Sequence, residues 1–164
     1  MSELKLDLGG MWDKVRKELE RTDADLEPVY SVEPKMDGVA VAVRYRDGRL
    51  VLGLTRGDGR KGDDITGNLA TISGIPCQLK DGWPEVFPWA GVRQFEARGE
   101  AYLSLSRFEE LNREREQAGR DLLANPRNAT AGTLKTLDTD EVRRRGLSVF
   151  FYQLFPVDPD DPTN

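Results

Sequence analysis

The chain has 164 residues, of which 38% are hydrophobic and 32% are charged, and its net charge is −5. This length and composition predict one soluble globular domain with its own core, and no apolar run approaches the roughly 20 residues that a membrane-spanning helix needs. The single cysteine, Cys77, excludes an internal disulfide, and without histidine a zinc site is not expected.

The charge balance also limits the chemistry. With 24 basic and 29 acidic residues, the chain is not expected to bind nucleic acid over its whole surface, although a local basic patch is compatible with it. Because histidine is absent, lysine, carboxylates or a bound metal are expected to do any chemistry. The N-terminus lacks the basic and apolar pattern of a signal peptide, so a cytoplasmic, reducing location is expected.

A helix is predicted first along the chain. Apolar residues at positions 11, 12, 15 and 19 form a stripe at helical spacing on a charged surface, which predicts a helix over residues 11–21. A break at Gly9 and Gly10 precedes it, and a polar loop follows it.

The next stretch is Glu-Pro-Lys-Met-Asp-Gly at residues 33–38. If residues 31–37 form a strand, side-chain alternation places Glu33, Lys35 and Asp37 on one face of it. The glycine that follows allows another backbone or a ligand to come close. This row of charges is either a candidate reactive site or a solvated strand face with paired charges.

Two short strands and a loop are predicted next. Residues 39–45 and 50–55 are rich in valine and leucine, and the Asp-Gly pair between them is the strongest short-range signal for a β-hairpin. Residues 56–64 contain only glycine and charged side chains, which predicts an exposed loop. Its backbone amides and Arg56 either hold an anion such as phosphate or form a flexible charged turn.

The middle of the chain mixes turns and strand. Residues 65–72 are predicted to form a short helix with Thr66 as its cap, and residues 74–90 a turn-rich segment whose tryptophans pack beneath it. Residues 92–103 are predicted to form a strand interrupted by a glycine, which marks close approach of backbone or ligand. Glu100 is a second candidate pocket carboxylate, or else an exposed charge on that strand.

A charged helix and a small-residue segment follow. Residues 104–119 are predicted to form the helix, with Ser106 as its N-cap because a glutamate follows three residues later. Residues 125–135 read Asn-Pro-Arg-Asn-Ala-Thr-Ala-Gly-Thr-Leu-Lys. They form either an ordinary surface loop or a segment whose Arg127 and Lys135 grip phosphates.

The last elements are predicted from short local patterns. Residues 139–145 are expected to form a short helix that ends in a basic cluster. Residues 147–155 are the most β-prone run of the chain and are expected to form a buried strand. Residues 156–164, with three prolines and three aspartates, are expected to form a flexible acidic tail.

Taken in order, these stretches resemble the adenylation (nucleotidyltransferase) domain of bacterial NAD-dependent DNA ligases. The matching pieces are residues 33–38, residues 55–59 (Thr-Arg-Gly-Asp-Gly), residues 62–66 (Gly-Asp-Asp-Ile-Thr), residues 96–102 and residues 124–137. ATP-dependent ligases and capping enzymes share the Lys-x-Asp-Gly pattern, whereas the loop and the last segment resemble the NAD class. The resemblance implies an α+β fold with an antiparallel sheet, an adenylation domain incomplete at both ends.

The resemblance also implies roles for five residues. Lys35 looks like the nucleophile that attacks the α-phosphate of NAD and becomes lysyl-AMP, with Asp37 ordering the lysine and the metal. Glu33 matches a residue that contacts adenine, Arg56 one that reaches the nucleotide, and Glu100 one that binds the ribose. The amine must be uncharged to react, which burial or a neighbouring cation favours. Magnesium is the expected metal, because it neutralises phosphate charge during transfer.

The DNA partner is implied in the same way. Residues 125–135 resemble the part of the family domain that touches DNA phosphates near a nick in double-stranded DNA, where Arg127 matches an arginine. Lys135 stands where the family usually carries a second arginine, so a bidentate contact becomes a point charge.

The resemblance divides the chain into three parts: residues 1–29 as an N-terminal helix and lead-in, residues 30–155 as a partial adenylation domain, and residues 156–164 as the tail. The family's NAD-recognising helical module, second half of the adenylation domain and DNA-binding domains are not expected here. The chain alone is therefore expected to seal nicks poorly, and a larger ligase or the missing domains are its expected partners. A non-catalytic remnant that binds nucleotide or DNA is the alternative.

Overall fold

A computed structural model of the protein describes residue 10, residues 13–15, residue 17 and residues 31–55, 62–86 and 91–157. Contacts divide the chain into two units, Met1–Lys35 and Met36–Asn164. In the first unit, the described residues at positions 13–15 and 17 are helical, in agreement with the helix predicted there. Gly10 is helical as well, so the break predicted at this residue is wrong, and residues 31–35 belong to no helix or strand. The other residues of that predicted helix lie outside the described ones.

The second unit contains an antiparallel four-stranded sheet in the order β2-β1-β3-β4. The strands are β1 (Val39–Arg46), β2 (Arg49–Thr55), β3 (Gln94–Tyr102) and β4 (Ser148–Pro156). Helices accompany the sheet, so the predicted α+β class with an antiparallel sheet is confirmed. No helix among the described residues is both long and apolar enough to cross a membrane.

The β1–β2 hairpin forms where the Asp-Gly pair predicts it. Asp47 and Gly48 have φ angles of 50° and 76°, so both central turn residues are left-handed, and Arg46 pairs with Arg49 across the turn. This two-residue turn matches the twist of the two strands. A Cβ on Gly48 would meet Trp83 Nε1 at 2.7 Å, so the turn packs closely against the next segment.

Four helices of the described part of the second unit lie between its strands: α1 (Thr66–Leu69), α2 (Leu105–Gln117), α3 (Pro126–Leu134) and α4 (Thr139–Arg145), with a 3₁₀ turn at Trp83–Val86. The boundaries of α4 are those expected from the sequence. The alternative of an ordinary surface loop over residues 125–135 is wrong, because most of that segment is α3. Asn125 caps this helix and proline occupies its first turn, where the missing N–H is tolerated.

Both predicted N-caps are wrong. Helix α2 begins after Ser104, whose Oγ accepts a hydrogen bond from the Arg107 amide at 3.2 Å, because Ser104 is the last extended residue after β3. At α1, the Thr66 amide and hydroxyl both donate to Asp64 Oδ1, at 3.0 and 2.6 Å, and Thr66 Oγ1 accepts from the Gly53 amide in β2. These two donors lower the pKa of Asp64 from its ordinary value.

The hydrophobic core lies on one face of the sheet, because alternate residues of β1 and β3 point to the same side. The helices cover this face. The buried core side chains from the strands are Val41, Val43, Tyr45, Phe95, Ala97 and Ala101, and those from the helices include Leu69, Leu111, Leu134 and Val142. Trp83 is partly buried against the same cluster and its ring lies 5.8 Å from that of Phe95, so it packs beneath its segment as predicted.

Strand β4 is less buried than its sequence suggests. It occupies an edge of the described sheet, and Tyr152 and Leu154 are each 41% exposed. The pairing of β3 with β4 shifts in register between Arg98 and Gly99, as at a β-bulge, at the glycine predicted to interrupt the strand. High β-propensity therefore identified the strand correctly, but its position in the sheet sets its burial.

Tyr45 makes the core sensitive to alkaline pH. Its ring stacks on Phe95 with centroids 5.2 Å apart, and its hydroxyl donates to the Pro76 carbonyl at 2.7 Å. Burial, with a smaller contribution from Cys77, raises the pKa of Tyr45 to about 12 from 10.0. Folding therefore favours the protonated phenol. This stabilisation is complete below about pH 10 and is lost as the pH rises through about 12.

We expect the free energy of unfolding to fall by up to about 3 kcal/mol across that interval, from two pKa units at about 1.4 kcal/mol each. Urea unfolding of the 164-residue chain at successive pH values measures the loss. The Tyr45→Phe variant keeps the ring but has nothing to ionise, so its curve should be flatter between pH 10 and 12. Parallel curves for the two proteins would contradict this assignment.

Candidate functional site

The glycine of the Lys-Met-Asp-Gly stretch lies directly against β3. Gly38 precedes β1, where Val39 pairs with Ala101, and its amide donates to Glu100 Oε1 at 3.2 Å. A Cβ built on Gly38 would lie 2.0 Å from the Ala101 carbonyl oxygen. Only glycine fits this close approach, so the residue has a packing function, and Glu100 binds the backbone of the same stretch.

Asp37 forms an ion pair with a residue of a different element, helix α3. Arg127, in the first turn of α3, donates from Nη1 to Asp37 Oδ1 at 2.8 Å. The Arg127 side chain is 59% exposed and that of Asp37 is 78% exposed, so the pair adds little to stability. The Asp37 carboxylate, with a smaller effect of Glu100, raises the pKa of Arg127 above its ordinary value. Four predicted residues thus come together: Asp37 and Gly38 from one stretch, Glu100 from β3 and Arg127 from α3.

The cap of α3 sets the position of Arg127. Asn125 Oδ1 accepts a hydrogen bond from the Asn128 amide at 2.7 Å, and the backbone of Asn125 is extended. This bond satisfies one of the free amides at the helix start and fixes the direction in which the chain enters the helix.

We expect Asn125→Ala to destabilise the chain by about 1 kcal/mol, because the Asn128 amide loses its acceptor. Asn125→Asp retains a capping oxygen and should remain within a few tenths of a kcal/mol of the original. Chemical denaturation of the three proteins tests this, and equal stability of Asn125→Ala and Asn125→Asp would show that the cap contributes nothing.

Lys135 lies at the opposite end of α3. It is the C-cap residue and is exposed, and nine residues of helix place it about 12 Å along the axis from Arg127. Asn68 fixes this end by donating from Nδ2 to the carbonyls of Leu134 and Thr136, both at 2.8 Å. The two predicted DNA contacts therefore stand at the two ends of one rigid helix.

Lys35 and Glu33 belong to the first unit. The Ser31 hydroxyl donates to Glu33 Oε1 at 3.2 Å. The strand considered for residues 31–37 does not form; β1 begins at Val39, and Pro34 has no N–H to give to a ladder. Glu33, Lys35 and Asp37 therefore do not share a strand face.

Arg56 lies outside the described residues, as does most of its loop. The residues described after it hold the loop end to β2: Asp63 donates its amide to Thr55 Oγ1 at 3.0 Å, and Thr55 donates its amide to the Asp63 carbonyl at 3.1 Å. The start and the end of the glycine-rich loop are thus joined to each other.

Sequence reasoning missed a charge network on the face of β3 that carries Glu100. Glu96 is buried there and accepts from Arg44 at 3.1 Å and from Arg98 at 2.7 Å, and the Arg98 guanidinium lies 4.3 Å from the ring centroid of Phe155. The alternation of charge at positions 96, 98 and 100 is the signal that could have located it. The pair of Arg44 with Glu96 links β1 to β3, the strand that carries Glu100.

The carboxylates of this cluster would suit a magnesium ion that substrate phosphates also hold. Among the residues that the structure describes, no three side chains of aspartate, glutamate or cysteine are grouped to hold a metal ion. Magnesium is commonly held by one or two carboxylates with substrate phosphates and waters. Asp37, exposed and close in sequence to Lys35, fits the carboxylate of such a site.

Comparisons with known proteins agree with the motifs. Residues 7–163 match the family described as NAD-dependent DNA ligase adenylation domain. A DNA ligase of Salinibacter ruber is 47% identical over 132 residues, which cover 80% of this chain and 18% of the relative. A DNA ligase of Chlorobaculum parvum is 50% identical over 137 residues, with 84% and 20% covered. One of Pseudothermotoga lettingae is 48% identical over 139 residues, with 85% and 18% covered.

The chain spans about a fifth of the length of these relatives. The family match, over residues 7–163, spans all the candidate site residues, from residue 33 to residue 135. The match covers far more than half of the chain and agrees with the antiparallel sheet and its helices. The chain therefore belongs to the family of NAD-dependent DNA ligase adenylation domains.

Proposed function

We propose that this chain carries out the adenylation step of an NAD-dependent DNA ligase, in which Lys35 accepts AMP from NAD. The observation that supports this most directly is the clustering of Asp37, Gly38, Glu100 and Arg127, which come from three separate parts of the sequence. Asp37 and Gly38 of this cluster lie two and three residues after Lys35 in the chain. In a member of this family, a reactive lysine explains this arrangement better than chance does.

The proposed reaction is a substitution at phosphorus. The uncharged amine of Lys35 attacks the α-phosphate of NAD, and a bond from Nζ to phosphorus forms. The bond between that phosphorus and the bridging oxygen breaks, and nicotinamide mononucleotide leaves with the electron pair. The amine loses a proton to solvent or to a nearby base. Most of the catalytic effect in such transfers comes from positioning and charge neutralisation.

The other residues bind and orient in this proposal. Glu100 accepts hydrogen bonds from ribose hydroxyls, Glu33 contacts the adenine, and Arg56 contacts the nucleotide. Asp37 would help to hold magnesium, and the ion would neutralise the phosphate charge of the substrate. Glu100 can accept hydrogen bonds from ribose while it keeps its bond to the Gly38 amide, because a carboxylate has several acceptor sites and that bond uses one of them.

Nicked double-stranded DNA is the proposed polymer substrate. Arg127 and Lys135 are both exposed, and their separation of about 12 Å along α3 allows contacts to two different phosphates. Sealing a nick in the relatives' manner would involve a protein about five times longer, so further domains or a larger ligase are the proposed partners. On its own, the chain is expected to seal nicks poorly.

Intact-mass spectrometry tests the adenylation step. The 164-residue chain is incubated with NAD and magnesium. A chimera in which residues 31–157 replace the aligned segment of the Chlorobaculum parvum ligase is treated in parallel, so that any missing part of the protein is supplied. A mass gain of one adenylyl group, removed by adding nicotinamide mononucleotide, supports the proposal. If neither protein forms the adduct but both still bind NAD, adenylation is refuted and nucleotide binding is the remaining function. ATP in place of NAD should give no adduct.

A further inference from the structure

Two consecutive residues after Lys35 are held by two different elements. Glu100 of β3 binds the Gly38 amide at 3.2 Å, and Arg127 of α3 binds the Asp37 carboxylate at 2.8 Å. The second contact joins residues 90 positions apart, so it exists only when α3 is docked on the sheet. Arg127, to which the resemblance assigns contacts with DNA phosphates, is therefore in contact with Asp37, two residues after Lys35.

The ion pair of Arg127 with Asp37 is chemically compatible with a contact between Arg127 and a DNA phosphate. A guanidinium has five N–H donors, so an arginine that gives one to a carboxylate keeps others for a phosphate oxygen. Asp37 and Arg127 are both exposed, which leaves the pair accessible to a ligand that approaches α3. Arg127 can thus orient Asp37 whether or not a phosphate is bound.

We propose that Arg127 is a positioning residue for the adenylation step: it orients the Asp37 carboxylate before DNA binds, in addition to any contact with DNA. This inference rests on the proposed function, because the orientation matters only if Lys35 reacts. The ion pair is exposed and adds little to folding stability, so its effect is geometric. Misplacing a group by about 1 Å at a reacting centre lowers rates by up to about a hundredfold.

The test measures the rate of lysyl-AMP formation from NAD in single turnovers without DNA, in the chimera. Arg127→Ala should slow this step by about tenfold, with the larger effect on the limiting rate and the smaller on the NAD concentration at half-maximum. Arg127→Lys, which can still donate to Asp37, should recover part of the rate. Arg143→Ala is the matched control, because Arg143 is also an exposed arginine paired with a single aspartate; it should leave the rate unchanged.

A double-mutant cycle identifies the partner. If Arg127 acts through Asp37, adding Arg127→Ala to Asp37→Asn should slow the reaction little further, since the shared contact is already lost. Independent effects of the two substitutions would overturn the inference. A DNA-free rate for Arg127→Ala within twofold of the unsubstituted protein would also overturn it, and would leave Arg127 as a DNA contact alone. Failure of the unsubstituted chimera to form the adduct would instead refute the proposed function.

A structural readout supplements the rates. In amide NMR spectra of the 164-residue chain without ligand, Arg127→Ala should shift the Asp37 and Gly38 resonances, and Arg143→Ala should leave them in place. Unmoved resonances in Arg127→Ala would show that the pair does not orient Asp37, and would overturn the inference independently of any activity.

Discussion

Replacing Lys35 with arginine is expected to abolish the adenylyl adduct entirely, in the 164-residue chain and in the chimera alike. Arginine keeps the positive charge and a similar length, but its guanidinium stays protonated at any pH that the protein tolerates and has no free electron pair to attack phosphorus. Lys35→Ala should give the same result. Intact-mass spectrometry after incubation with NAD and magnesium measures the adduct, and peptide mapping locates it.

The control for this experiment is Lys80→Arg, a conservative change at an exposed lysine in a turn-rich segment of the second unit. It should leave the yield of adduct unchanged. NAD binding, followed by calorimetry, should persist in Lys35→Arg, because the substitution removes a nucleophile and leaves the rest of the site. An adduct that survives in Lys35→Arg would place the reactive amine elsewhere and end the proposed assignment.

Gly38→Ala is expected to be the most destabilising single change in the site. Its Cβ would lie 2.0 Å from the Ala101 oxygen and 2.9 Å from the carbonyl carbon, and both atoms belong to the backbone of β3. Neither atom can rotate away, so the start of β1 has to shift and the bond from the Gly38 amide to Glu100 is strained. Overpacking of this kind costs about 2–3 kcal/mol. For a chain of this size, that lowers Tm by about 4–12 °C.

Thermal unfolding followed by circular dichroism measures this loss. Gly132→Ala is the matched control, because a Cβ at Gly132 in α3 meets nothing within 4 Å. Alanine is favoured over glycine inside a helix by up to about 1 kcal/mol, so this variant should be slightly more stable than the original. Equal melting temperatures for Gly38→Ala and the original chain would show that β1 and β3 do not approach as closely as described.

Local patterns were sufficient for most of the regular elements. The Asp-Gly pair located the β1–β2 hairpin, and the boundaries of α4 agree with the structure because its ends carry local signals: Asp138 caps the start, and Gly146 adopts a left-handed φ of 66° at the end. These signals act between residues a few positions apart, which makes them readable from sequence. The N-cap predicted for α2 was wrong because two nearby serines, Ser104 and Ser106, carry the same capping group. The one predicted for α1 was wrong because Ile65 occupies the N-cap position, and the Thr66 hydroxyl donates to Asp64.

The sequence by itself determined the family, the hairpin and most of the helices, and it supplied the candidate reactive groups, since motif spacing and side-chain periodicity are properties of the chain alone. Only the tertiary structure decided that Gly38 packs on Ala101, that Glu100 binds its amide, that Arg127 holds Asp37, and that β4 is an edge strand. The hydrogen bonds to Glu100 and from Arg127 join residues 62 and 90 positions apart. They depend on which strands become neighbours and on where α3 docks, and many chain segments would satisfy the same local preferences without bringing those atoms together.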